Sequence, residues 1–141
     1  GALMGRPSAG VAEHVRTTDR IRAGLRSVLA SRAELEASEE RAQAERQGCT
    51  AVGLLRPRTR NEVFGVLRSV TTRPRQRVPA LEAELYDGTG ALQVVWLGQR
   101  RIAGIEPGRR LRLSGFVTVH EGRPTMFNPR YELAPRSEAR A

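Results

Sequence analysis

The 141 residues have room for one domain and an appendage, and they carry 24 basic against 15 acidic side chains, a formal net charge of +9. Every basic residue is arginine, whose planar fork suits phosphate and base stacking, so the charge favours a polyanionic partner; a GC-rich coding bias would also make arginine the default surface cation. A single cysteine, Cys49, excludes an internal disulfide, and the lack of a signal peptide or membrane-spanning run makes the cytoplasm the expected compartment.

Taken in order, residues 1–18 are rich in small residues without a sustained period and are expected to be flexible, and 1–3 resemble a cloning scar ahead of Met4. Thr17, Thr18 and Asp19 offer N-caps for a helix over 19–47. Ile21, Leu25, Val28, Leu29 and Leu35 form its apolar stripe, while the second half is helix-forming but almost without large apolar side chains. Arg32 and Glu39 interrupt any coiled-coil seam. Gly48 ends the helix, and 48–61 form a linker in which Ala51, Val52, Leu54 and Leu55 can pack against the β-rich remainder of the chain.

Residues 62–133 hold five strand-like runs separated by turn chemistry, with no room for a long helix. That pattern predicts a mainly β fold: a small five-stranded antiparallel Greek-key barrel behind an N-terminal α-helix. Strand one is expected over Glu62–Thr72, with Gly65 marking a bulge or sharp coil. An arginine-dense loop comes next, and strand two covers Ala80–Asp87. There Leu81, Ala83 and Leu85 alternate with Glu82, Glu84 and Tyr86. Asp87-Gly88 with Gly90 predicts a hairpin rather than a protease motif, because the order is D-G-T-G. Strand three is Ala91–Leu97 and apolar on both faces. Ile102 and Ile105 are placed to plug the barrel end. Strand four, Arg110–His120, puts Leu111, Leu113, Gly115, Val117 and Val119 inward. Strand five runs Pro124–Leu133, and 134–141 are expected to be disordered.

No catalytic set is evident. His14 and His120 have no cysteine or histidine at ligand spacing, and no phosphate-cradling glycine motif occurs, so neither enzyme activity nor a metal or cofactor is expected. Cys49 reads as a small buried side chain. The binding chemistry of an oligonucleotide-binding barrel remains: an electropositive groove over strands two and three, flanked by the loops between strands one and two and strands four and five. The first loop carries Arg73, Arg75 and Arg77, and the second His120 and Arg123, with Arg130 behind. Arg112 lies on the outer face of strand four. The possible stacking platforms are Tyr86, Trp96, Phe116 and Phe127. Tyr86 and Phe116 fall on polar faces and are the better candidates, whereas Trp96 shares its face with Leu92 and Val94 and is expected in the core. Tyr131 reads as a structural residue near the barrel's closure. Glu82 and Glu84 beside Tyr86 count against phosphate.

The runs AELYDGTG, VVWLGQRRIAGIEPGR and NPRYEL resemble a family of small actinobacterial proteins described as OB-fold nucleic-acid-binding domain proteins, over about Gly48–Leu133. More loosely the barrel is similar to the wedge domain of the RecG helicase, without any motor motif. The resemblance implies a DNA- or RNA-binding barrel serving DNA metabolism. The expected partner is therefore single-stranded nucleic acid, bound with low sequence specificity and without a membrane. The alternative is a protein adaptor or homodimer using the barrel and the N-terminal helix, favoured by the acidic second half of that helix.

Overall fold

The computed structural model describes residues 9–136, with side chains over 20–136. Two compact units divide between Leu35 and Glu36. A helix, α1, covers Ala9–Arg46. It starts ahead of the expected Asp19, so that Thr17, Thr18 and Asp19 lie within the helix and do not cap it. The flexible lead and tail read from the sequence otherwise fall on 1–8 and 137–141, outside the described residues. In the first unit Ile21, Leu25, Val28, Leu29 and Leu35 lie between 55% and 64% exposed. The helix stops where Gly48 takes φ +69°, letting its N–H reach the Glu45 carbonyl (3.0 Å) and Cys49 N–H the Ala44 carbonyl (3.4 Å).

The second unit is a six-stranded mixed sheet: β1 Thr59–Arg75, β2 Val78–Tyr86, β3 Ala91–Leu97, β4 Arg110–His120, β5 Arg123–Phe127 and β6 Arg130–Leu133. Their order is β1-β2-β3-β5-β4-β6, and β1 also pairs with β4, so the hydrogen-bonded circuit returns to its first strand. Two expectations need correction. The expected fifth strand is two, because Asn128 takes φ +50° and Pro129 comes directly after it, which breaks the ladder between Phe127 and Arg130. The sheet is also not wholly antiparallel, since β5 runs parallel to β3 (Gln93 opposite Thr125, Phe127 opposite Val95).

The long first strand serves two partners. Thr59–Val66 pair with β4, and Val66–Arg75 with β2. The register slips at Arg68, between Leu67 and Ser69, rather than at the expected Gly65. Gly65 has a different use: a Cβ there would overlap the Tyr86 carbonyl oxygen and lie 2.9 Å from Leu85 Cδ2. The bend of β1 from one partner to the other therefore relies on the missing side chain at Gly65, and the extra residue sits at Arg68.

Alternation along the strands fills the interior with Val63, Leu67, Leu85, Leu92, Leu113 and Met126, and Ile105 closes it with Ile102 packed alongside. Trp96 joins this core, its Nε1 donating to the Pro129 carbonyl at 3.2 Å. Val119, expected inward, is 52% exposed instead. The core side chains of β4 end at Val117, whose carbonyl accepts from Arg58 N–H (2.7 Å).

Buried Asp87 organises the β2–β3 hairpin. Its Oδ1 accepts from Thr89 N–H (2.9 Å), Thr89 Oγ1 (2.6 Å) and Gly90 N–H (3.2 Å), and its Oδ2 from Val52 N–H (2.8 Å). Both oxygens of the carboxylate are thus committed to structure. Val52 and Leu55 of the linker pack on the core, whereas Leu54 is exposed.

The end of α1 within this unit, Glu36–Arg46, is docked on the sheet. Buried Glu40 takes two hydrogen bonds from Arg110, Nη2 to Oε1 at 2.6 Å and Nε to Oε2 at 3.3 Å, a fork-to-fork pair that raises the pKa of Arg110. Gly88, at φ +87°, leaves room for Ala37, whose carbonyl oxygen a Cβ would strike. Gly88→Ala is therefore expected to loosen the helix end, because the hairpin is held by Asp87 and the helix is the freer partner. Amide hydrogen exchange over Glu40–Arg46 should accelerate at least ten-fold, corresponding to about 1.4 kcal/mol of local opening free energy. Unchanged exchange would mean that the helix end does not rest on that turn.

Candidate functional site

The face of β2, β3 and β5 opposite the core carries two cross-strand rows. One is Glu82, Val95 and Phe127, and the other Glu84, Gln93 and Thr125, extended on β4 by Thr118. Val95 and Thr125 are fully buried, so the face is a filled surface rather than a cleft. Phe127, half-buried, stands at the end of β5 opposite Val95.

Cations reach this face from both sides. The expected RPRQR loop is mostly strand: β1 runs to Arg75, β2 starts at Val78, and only Gln76 (φ +48°) and Arg77 (φ +69°) form the turn. Two left-handed residues are what a two-residue hairpin of this twist requires. Arg73 and Arg75, paired with Ala80 and Val78, accordingly share the side of Glu82, with Arg77 at the tip. The opposite hairpin is Glu121-Gly122, also left-handed at both positions, and it pairs His120 with Arg123. Arg123 shares its strand face with Phe127.

Arg75 ties the two sides together. Its Nε donates to Glu82 Oε1 at 2.6 Å, its Nη1 lies 3.5 Å from His120 Nε2, and its Cζ is 5.5 Å from the centre of the Phe127 ring. His120 meets Phe127 edge to face at 6.0 Å. The repulsion of phosphate expected from Glu82 is thereby offset by a paired guanidinium. Arg75 also has a structural duty, since Glu82 is only 9% exposed. Arg75→Ala is expected to cost about 2 kcal/mol in urea unfolding, below the roughly 3–5 kcal/mol of a fully buried pair because the Arg75 side chain is 26% exposed. Adding Glu82→Gln should recover part of that loss. A full loss in both variants would show that the charge of Glu82 is not the cause.

Other expected site residues lie elsewhere. Arg112 is turned toward α1, its Nη2 donating to the Gln47 carbonyl (3.2 Å) and Gln47 Oε1 (3.0 Å) and its Nη1 to Glu62 Oε2 (3.3 Å) and Cys49 Sγ (3.3 Å). It is a fastener of the helix end. Cys49 is half-buried, and burial raises its thiol pKa against the opposing effect of Arg112. Tyr86 has the Arg68 guanidinium stacked on its ring at 3.4 Å, so one face of this candidate platform is already covered. Phe116 is 48% exposed on β4, opposite Arg60 of β1. Arg130 stands on β6 opposite Ser114. Arg75 and His120 are thus brought together, Arg73 and Arg123 share their sheet face, and Arg77 stands at the hairpin tip. Phe127, ranked by sequence below Tyr86 and Phe116, is the ring that Arg75 and His120 approach. Its signal is the alternation of PTMF, in which Met126 takes the inside position.

No family model matches this chain. No curated protein matches it either, so the resemblance to the small actinobacterial proteins rests on the residues alone. Among solved structures the chain is similar to one described as "Structure of RecG bound to three-way DNA junction", at 23% identity and a TM-score of 0.47. That likeness covers 58% of this chain and 12% of that chain.

Among the described residues no group of three or more His, Cys, Asp or Glu side chains is placed to hold a metal ion, and no helix is long and apolar enough to cross a membrane.

Proposed function

We propose that this chain is a non-enzymatic binder of single-stranded nucleic acid, with low sequence specificity and an accessory role in DNA metabolism. We read its strand circuit as an oligonucleotide-binding barrel, whose second and third strands and flanking hairpins form the binding face. The observation that carries the reading is that Arg75 and His120 meet Phe127 on a sheet face that Arg73 and Arg123 share. An aromatic ring accepts any base by stacking, and the surrounding cations track the phosphates without reading sequence.

Fluorescence anisotropy with a labelled single strand, repeated at several salt concentrations beside a duplex, tests this. Single-strand binding that weakens steeply with salt and exceeds duplex binding is the expected result. Equal and weak binding to both would make the arginines a diffuse cationic surface.

A second reading has its own observation. Ile21, Leu25, Val28, Leu29 and Leu35 present large apolar side chains to solvent along one helix, which suits a protein partner or self-association. Sedimentation of the whole chain distinguishes a dimer from a monomer, and either is compatible with nucleic-acid binding by the sheet face.

A further inference from the structure

We infer that an open groove of about 670 Å³ at the end of β3 is a second nucleotide subsite, taking a base against Tyr131 and a phosphate between Arg101 and Arg130. The inference rests on the single-strand reading above and extends it beyond the sheet face. Trp96, Gln99 and Asn128 also line the groove.

Three observations support a ligand with one flat apolar part and one anionic part. Tyr131 is 42% exposed, yet it is steadied by buried Trp96, 6.0 Å away at an interplanar angle of 83°. A ring already held in place loses little freedom when a base stacks on it. Arg101 and Arg130 are exposed and pair with no carboxylate among the described residues, whereas Arg75, Arg110 and Arg112 each do. The groove wall is also fixed by its own hydrogen bonds. Asn128 N–H donates to the Val95 carbonyl (2.7 Å), Asn128 Oδ1 accepts from Leu97 N–H (2.9 Å), and the Pro129 carbonyl accepts from Trp96 Nε1 (3.2 Å). These bonds hold Asn128 left-handed, and its amide nitrogen has no partner among the described residues.

The groove continues the first site. Leu97 succeeds Gln93 and Val95 along the outer face of β3 and is itself a lining residue of the groove. The turn at Asn128 and Pro129 carries the chain from Phe127 on the face to Tyr131 in the groove. A strand lying across the face over Phe127 therefore leaves it at the groove. An acidic peptide would satisfy the two arginines but would make no use of the ring.

The two tyrosines of the chain, Tyr86 and Tyr131, make the test direct. The whole chain is labelled with 3-fluorotyrosine, and Tyr86→Phe and Tyr131→Phe variants assign the two fluorine resonances. Oligothymidylates of about four and about twelve nucleotides, bracketing usual site sizes, are then titrated. The Tyr131 resonance is expected to move with the longer strand and to stay still with the shorter one. Tyr131→Ala should weaken only the longer strand, about ten-fold, and Arg101→Gln with Arg130→Gln should lower its salt slope by about 0.7, the share of one phosphate on a single strand. A Tyr131 resonance unmoved at saturation, while Arg73→Gln with Arg77→Gln still weakens binding about 25-fold, would overturn the groove and leave the sheet face standing. Absence of any binding would remove both. Movement with polyglutamate but with no oligonucleotide would overturn the subsite in favour of an acidic peptide.

Discussion

Arg73→Gln combined with Arg77→Gln is expected to weaken single-strand binding about 25-fold at 0.1 M salt and to reduce the slope of log affinity against log salt by about 1.4. Each phosphate contact on a single strand contributes about 0.7 to that slope, so two contacts contribute about 1.4. Between 1 M, where such contacts vanish, and 0.1 M they build up about 25-fold in affinity. Both residues are exposed, and among the described residues neither pairs with a carboxylate. Glutamine keeps most of their length, and the turn already accepts a left-handed glutamine at Gln76. Arg75 is left in place because its removal would strand Glu82 and mix a folding defect into the binding measurement. The loss should be alike for every sequence, as phosphate contacts carry no base information. Anisotropy at four salt concentrations reads affinity and slope together, and a thermal melt confirms that the double variant is folded. An unchanged slope would remove the β1–β2 hairpin from the interface.

Gly65→Ala is the substitution expected to damage the fold most, by about 3 kcal/mol or a fall of roughly 15 °C in Tm. The added methyl would meet the Tyr86 carbonyl oxygen and carbon and Leu85 Cδ2, all parts of β2 that cannot retreat independently. Val66 is the residue that pairs with both Arg110 and Tyr86, so any shift there opens β1–β2 and β1–β4 pairing at once. Gly98→Ala is the matched control: its φ of +81° strains an alanine, but nothing lies within 4 Å of the added carbon. It should cost about 1–2 kcal/mol, the usual penalty for a left-handed alanine. Urea unfolding of the two variants separates crowding from backbone strain. Gly65 is not left-handed, so a loss no larger than that of Gly98→Ala would show that the overlap with β2 is relieved by small shifts.

Much of this is legible along the chain, because it depends on neighbours in sequence. Alternation in Leu81–Leu85 and Leu111–Val117 sets the inward faces, Asp87-Gly88 with Gly90 sets the hairpin, and Gly48 sets the end of the helix. Trp96 belongs to the core by the face it shares with Leu92 and Val94. The arginines of two turns fall, by strand order alone, on the flanks of one face.

Properties that depend on distant partners cannot be read this way. Arg112 has the sequence context of any outward strand residue, and only the docking of Gln47 and Cys49 against β4 turns it into a fastener. Arg75 and Arg77 look equivalent in RPRQR, yet strand pairing to Val78 sets one over Glu82 and the other at the tip. Phe127 and Tyr131 lie in one apparent strand, and the break between them exists because Asn128 hydrogen-bonds to β3. Periodicity, turn residues and net charge determined the elements and their inward sides, since each is set by local geometry and solvation. Tertiary structure alone decided which charges meet, which aromatic rings are free and where the ladder breaks, because those outcomes depend on side chains far apart in sequence competing for the same partners.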